Sequence, residues 1–363
     1  MNKEIVFKDV CKTYDGKVNV VEDLDLVIKP GEFLTLLGPS GSGKTTTLMM
    51  LAGFETLSRG TILYAGKDIS RLPSHKRNFG FVFQNYALFP HLTIFENIAF
   101  PLKMRKVSKA EISQLVKNAL SMVKLPDVES RYPTELSGGQ QQRIALARAL
   151  VFKPDVVLMD EPLGALDKNL REDMQLELKE IHRKLGVTFV FVTHDQDEAL
   201  TMSDRVAVFN DGKIVQIDTP QAIYDSPRDR FVAEFVGETN KLASRVEADS
   251  REGYVQVSNP WFSGEVRCYD TLHQGSQCTL YVRPEYVTVS PVSPLPNALK
   301  VTVADMVFRG AYVLVKVQSD NGDVLMSKMM ISGVDTDVVK IGAKDLHVLI
   351  NASNAVVFVD AAA

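Results

Sequence analysis

The octapeptide Gly38-Pro39-Ser40-Gly41-Ser42-Gly43-Lys44-Thr45 fits the pattern G-x-x-x-x-G-K-S/T, whose chemistry is the cradling of phosphate. Glycines let the backbone wrap closely around an anion and aim N–H groups at it. A helix starting at the end of such a loop adds partial positive charge. Lys44 is placed to reach the β- and γ-phosphates of a triphosphate, and the Thr45 hydroxyl suits Mg²⁺. Thr46 extends the same phosphate-binding run. Further along, the apolar run Val156-Val157-Leu158-Met159 ends in Asp160-Glu161. A carboxylate at the edge of a buried strand is costly unless something pairs with it. Beside a triphosphate, Asp160 would hold Mg²⁺ through water and Glu161 would polarise the attacking water as general base. Taken alone, the two carboxylates could instead cap the next element.

These residues need elements to hold them. The apolar run FLTLL before the glycine-rich loop reads as a buried parallel strand, and TTLMMLAGF after it reads as a helix. Alternation predicts strands around Ile5-Val6-Phe7 and Leu24 to Ile28. From about residue 87 to 150 the chain reads as helical instead. Residues 109–125 place Ile112, Leu115, Val116, Ala119, Leu120 and Val123 on one face, and a second helix follows Leu136-Ser137-Gly138-Gly139. Alternating β/α character then resumes. A strand over 155–161 precedes a helix over 171–186, a strand over 188–194, a helix over 197–203 and a hairpin turning at Asn210-Asp211-Gly212. From about Gly237 short strands are separated by turns at Ser250 to Gly253, Gln274 to Ser276 and Asp320 to Asp323. A Pro-rich stretch, Ser290 to Asn297, interrupts them. That pattern predicts a small barrel or sandwich.

Composition bounds the reading. At 363 residues with 45% hydrophobic and 24% charged side chains, the chain has two or three domains' worth of ordinary globular sequence. Net charge is 41 − 45 = −4, and the stretch from Asn240 onward holds 11 basic and 13 acidic residues. The two parts are thus −2 each, which argues against a nucleic-acid partner. Cys11, Cys268 and Cys278 are odd in number and lack metal-site spacing, so structural thiols are expected. No apolar run approaches the ~18 residues of a membrane span, and the charged start MNKEIVFKDV is unlike a signal peptide. The expectation is a cytosolic chain that does not itself cross a membrane.

Leu136-Ser137-Gly138-Gly139-Gln140, lying between the phosphate loop and Asp160-Glu161, resembles the signature of the ABC transporter ATPases. Alone, Ser-Gly-Gly before a helix would be an N-cap. The resemblance implies an α/β fold: a P-loop ATPase core over 1–236 with an inserted helical subdomain at about 87–150, then a C-terminal all-β, OB-like regulatory domain over 237–363. It implies ATP and Mg²⁺ as ligands. It assigns roles one position at a time. Tyr14 resembles the aromatic that stacks on adenine, with a packed strand aromatic as the alternative. Gln84 matches the glutamine that contacts Mg²⁺ or the attacking water, Asp167 the loop that crosses between paired subunits, and His194 the switch histidine at the γ-phosphate. Ser137, Gly138, Gly139 and Gln140 would close over the nucleotide held by the other chain, so a head-to-tail homodimer is implied.

The C-terminal domain and Arg283-Pro284-Glu285 resemble the regulatory part of importer ATPases. An OB-like barrel could instead bind nucleic acid, but its charge argues against that. The apolar segment Asn85 to Pro90 is either a packed joint between subdomains or a groove for a helix of an integral membrane permease. The resemblance further implies a peripheral position on the cytoplasmic face of the inner (plasma) membrane and an extracytoplasmic solute-binding protein as indirect partner. GEFLTLLGPSGSGKTT, RKLGVTFVFVTHDQDEALTMSDR and Gly237 to Asn240 look most like polyamine-importer ATPases. Importers for ferric iron, aminoethylphosphonate, sulfate or sugars share much of this. A soluble ABC protein acting on ribosomes or DNA is the remaining alternative.

Overall fold

The computed structural model describes residues 3–291, 299–333 and 339–360. Two compact units divide the chain, 1–221 and 222–363.

The first unit is built on a six-stranded sheet. Its order is Lys213–Asp218, Arg205–Asn210, Phe33–Leu37, Thr188–Thr193, Val156–Asp160 and Phe79–Val82. All but the first of these are parallel. Every residue of Phe33–Leu37, Thr188–Thr193 and Val156–Asp160 is buried, which accounts for their continuous apolar runs where a half-exposed strand would alternate. Asp211 and Gly212 both take positive φ (46° and 80°), the geometry a two-residue hairpin demands. A second, antiparallel sheet contains Ile5–Thr13 and Asn19–Ile28 with Arg59–Tyr64 and Lys67–Asp68.

Three helices fill the expected helical segment: Ile94–Met104, Lys109–Met122 and Gly138–Leu150. Ile112, Val116, Ala119, Leu120 and Val123 are buried in one core with Ile98 and Ile144. Leu115, on the same expected face, is only partly buried against that core. The helix expected from Arg171 begins at Lys168, because the Asp167 carboxylate accepts the Leu170 N–H at 3.0 Å and caps it there.

The second unit holds a closed five-stranded barrel, Asn240–Val246, Tyr254–Asn259, Phe262–Cys268, Ala355–Val359 and Gln277–Val282. A five-stranded sheet lies beside it, and one core joins Leu242, Val257 and Leu280 of the barrel to Val303, Val315 and Leu325 of the sheet. This is the OB-like all-β domain anticipated above. Positions 292–297 of the Pro-rich stretch lie outside the described residues.

The expected domain boundary at 236/237 differs from the observed division at 221/222. Two short helices, Pro220–Asp225 and Arg230–Phe235, had no signal in the apolar periodicity. Ala233 packs with Tyr281, Val356 and Phe358 of the barrel. The buried Arg283 guanidinium donates to the carbonyls of Tyr224, Ala233 and Glu238. Arg283-Pro284-Glu285 therefore fastens these helices to the β unit.

Candidate active site

Four adjacent parallel strands deliver the site residues at their carboxyl ends, where open α/β sheets place ligands. Leu37 runs into the glycine-rich loop, Thr193 into His194, Asp160 into Glu161, and Val82 into Phe83-Gln84. The loop demands glycine at its last position: Gly43 has φ 98°, and a Cβ there would lie 2.5 Å from the Val20 carbonyl oxygen.

Lys44 is 4% exposed, and its ammonium donates to the carbonyls of Gly38 and Pro39 at 2.8 and 2.7 Å. Burial lowers its pKa, and the charges of Glu161 and Asp160 oppose that shift. Thr45 Oγ1 donates to Asp160 Oδ1 at 2.9 Å. Burial raises the Asp160 pKa against that hydrogen bond, with Glu161 adding to the rise and Lys44 opposing it. Glu161 has φ 42°, a left-handed conformation that costs a non-glycine residue about 1–3 kcal/mol and clusters at functional sites. Its N–H is held by the Val192 carbonyl at 3.0 Å. Gln84 Nε2 donates to Glu161 Oε2 at 3.3 Å, and His194 Nδ1 lies 3.2 Å from Glu161 Oε1. Lys44, Thr45, Asp160, Glu161, Gln84 and His194, far apart in sequence, thus form one cluster.

The other expected residues stand elsewhere. Tyr14 is 61% exposed, with Lys12 Nζ 4.6 Å from its ring centre; it is not the packed strand aromatic of the alternative reading. Ser137 caps the helix Gly138–Leu150 through a reciprocal pair of bonds with Gln140, 3.3 and 3.0 Å. Gly139 lies against Leu170 so closely that a Cβ would come within 2.6 Å. Among the described residues, no hydrogen bond or ion pair links Ser137 to Gln140 with the phosphate loop. Within one chain, then, this segment and Asp167 act as helix caps.

The segment after Gln84 is a packed joint between subdomains, as the first of the two readings expected. Tyr86 and Ala87 take φ 62° and 47°, and half-buried Arg148 donates to both their carbonyls at 2.8 Å. Beside it lies a groove of about 740 Å³ lined by Phe54, Phe81, Phe83, Phe89, Phe100 and Phe152.

An ABC transporter family model matches residues 21–164, and a TOBE domain model matches 280–358. The spermidine/putrescine import ATP-binding protein PotA of Aliivibrio fischeri is 45% identical over 93% of this chain and 91% of that protein. The protein of the same name from Clostridioides difficile is 43% identical, covering 96% and 99%. The chain belongs to the ABC transporter ATPase family. Two solved structures resemble this ABC ATPase over about three fifths of its length. The dimeric structure of MJ0796, a bacterial ABC transporter cassette, is 34% identical with a TM-score of 0.55, covering 60% of this chain and 98% of that one. CbiO1 of Clostridium perfringens, part of the cbiONQ ABC transporter complex, is 27% identical with a TM-score of 0.58, covering 61% and 91%. This ABC ATPase binds and hydrolyses ATP.

The donor set fits Mg²⁺. Among the described residues no group of three or more His, Cys, Asp or Glu side chains could hold a metal alone. Mg²⁺ typically takes one or two carboxylates together with substrate phosphates and water, and Asp160 with the Thr45 hydroxyl offers that partial set.

Reading the sequence missed Arg171, Asp195 and Glu198, which pack behind His194. Charged residues on a helix face carry no signal that separates a buried network from a solvated surface. The Asp195 cap ahead of the helix Gln196–Met202 was the one legible hint.

Proposed function

We propose that this ABC ATPase powers the uptake of polyamines such as spermidine and putrescine through an integral membrane permease. The observation that carries it is near full-length similarity to proteins named for spermidine/putrescine import. The chain acts as a homodimer held peripherally at the cytoplasmic face of the inner membrane. An extracytoplasmic binding protein brings the solute to the permease without touching this chain.

Within the dimer, Gly38 to Thr46 of one chain cradles the triphosphate, and Tyr14 stacks on adenine. Ser137, Gly138, Gly139 and Gln140 of the other chain close over the γ-phosphate. Ser137 Oγ accepts the Gln140 N–H in its cap, which leaves its hydroxyl proton to donate. Asp167 lies where the chains cross. Thr45, Asp160 and Gln84 would hold Mg²⁺, which when bound offsets negative charge on the phosphate oxygens. Glu161 takes the proton of the attacking water, with Gln84 and His194 each orienting one of its carboxylate oxygens. Lys44 turns from the loop carbonyls to the phosphates, and His194 contacts the γ-phosphate. The groove beside Tyr86 to Pro90 receives a helix of the permease. The second unit regulates or steadies the dimer.

Uptake of radiolabelled putrescine and spermidine into cells lacking this gene tests the proposal. Uptake should return with the wild-type gene and not with Glu161→Gln. Purified Glu161→Gln should bind ATP and turn over ~10²–10⁴-fold more slowly, the loss expected for a positioned base. Unchanged polyamine uptake in the deletion, with loss of iron, sulfate, phosphonate or sugar uptake instead, would reassign the solute.

A further inference from the structure

Arg171 lies one turn into the helix that Asp167 caps, and its guanidinium holds two loops at once. Nη2 donates to the Leu166 carbonyl at 3.1 Å, and Nη1 donates to Asp195 Oδ2 at 3.0 Å. Nε sits 3.7 Å from Glu198 Oε1, within ion-pair range but without a hydrogen bond. Asp195 Oδ1 accepts the N–H groups of Asp197 and Glu198 at 2.9 and 3.2 Å, fixing the start of the next helix. On the other side of His194, Thr193 Oγ1 donates to Glu198 Oε2 at 2.5 Å and accepts the Asp195 N–H at 3.0 Å.

His194 therefore stands between two anchored residues. Its own side chain is 56% exposed, so the Thr193–Asp195 backbone places the ring and little packs against it from outside. That backbone depends on Asp195, and Asp195 depends on Arg171. The other arm of Arg171 holds the carbonyl next to Asp167. A guanidinium is planar and rigid, so displacement of one partner is passed to the other. A cavity of about 40 Å³ bounded by Glu161, Gly164, Arg171, His194 and Glu198 leaves this layer room to adjust. Leu170, the preceding residue, packs on Gly139, so the same helix end also registers the Ser137 segment.

We propose that Arg171 is a positioning residue for hydrolysis, tying the Gly164–Asp167 segment to His194 through Asp195. Engagement of Asp167 by a second chain then sets the distance between His194 and Glu161. This rests on the reading of Asp167 as the crossing point and Glu161 as general base.

A double-mutant cycle in turnover of radiolabelled ATP tests it. Arg171→Met should lower kcat about 10- to 100-fold, the cost of a small misplacement at a reacting centre. KM for Mg-ATP should stay within about 2-fold, because the phosphate loop is untouched. In a His194→Ala background the same substitution should cost less than about 2-fold, since its effect runs through the ring that is gone. An equal loss in both backgrounds, or a raised KM with kcat intact, overturns the proposal. Arg171→Lys serves if the Met variant does not fold. Its single ammonium lacks the two-armed fork, so it should give a smaller loss that likewise vanishes without His194. Glu161→Gln is measured alongside. Normal turnover there would sink the hydrolytic reading and this proposal with it. An inactive Glu161→Gln with an Arg171 penalty that persists without His194 would sink this proposal alone.

Discussion

Replacing Glu198 by Gln should stabilise the first unit above neutral pH and leave it nearly unchanged in mild acid. Glu198 is 2% exposed, and burial pushes its carboxyl from about 4.5 up to about 7. The Thr193 hydroxyl opposes that rise, Asp195 adds to it, and Arg171 and His194 oppose it. Because the folded value is the higher one, the folded state holds the proton through the window from pH 4.5 to about 7. Its contribution to stability is complete below about 4.5 and is lost as pH rises to about 7. At about 1.4 kcal/mol per pH unit the whole window is worth about 3 kcal/mol, of which about 2–3 kcal/mol falls between pH 5 and pH 8. A glutamine matches the protonated acid in shape, can accept the Thr193 hydroxyl and carries no charge to bury. The gap between variant and wild type should therefore widen by that amount over those three pH units. Hydrogen exchange at the amides of residues 188–202 under increasing urea reads the affected unit. The single tryptophan, Trp261, lies in the second unit and does not. Parallel stability profiles from pH 5 to pH 8 would show that the carboxyl is already ionised in the folded protein and refute the reasoning.

Three further outcomes are expected. Ser137→Arg should abolish hydrolysis while leaving ATP binding by the same chain intact, because a bulky cation cannot occupy the place of small donors; mixing it with inactive Lys44→Ala should restore partial activity in mixed dimers, and hydrolysis by isolated monomers would contradict shared sites. Phe89→Asp, in the aromatic groove, should keep basal ATPase and lose stimulation by the reconstituted permease, measured in proteoliposomes; permease pull-down at wild-type strength would count against docking there. A chain ending at Gln221 should remain soluble and hydrolyse ATP, whereas one ending at Gly237 should aggregate in sedimentation because Ala233 loses its barrel partners; equal solubility of the two would place the boundary where the sequence first suggested.

That Lys44, Thr45, Gln84, Asp160, Glu161 and His194 stand together was legible because they sit at strand ends, and strand ends announce themselves. Continuous apolar runs mark buried parallel strands, and a glycine-rich loop, an acid pair or a histidine directly after one lands on the same edge of the sheet. What could not be read was the layer behind it. Glu198 and Arg171 lie on helices rich in charge, and nothing in their spacing separates a buried carboxylate from the solvated Glu172 or Lys168 nearby. The difference arises from tertiary packing: the start of one helix is laid against the histidine-bearing turn, and only there does an arginine find two loops to hold.

The domain boundary shows the same limit from the other side. Periodicity reports the type of an element and not what it packs against. The last strand signal of the first unit ends near Asp218, and the β pattern resumes at Asn240, so the stretch between them belonged by sequence to either side. Arg283 decides the matter. A guanidinium buried to 4% exposure with three backbone carbonyls as partners is costly to leave unpaired, and those carbonyls come from Tyr224, Ala233 and Glu238. Tyr224 in turn gives its hydroxyl proton to Glu285, two residues beyond Arg283, and its ring lies under the guanidinium, 4.7 Å from its carbon. Arg283-Pro284-Glu285 thus ties Tyr224, Ala233 and Glu238 to the β unit, beside the packing of Ala233 on the barrel.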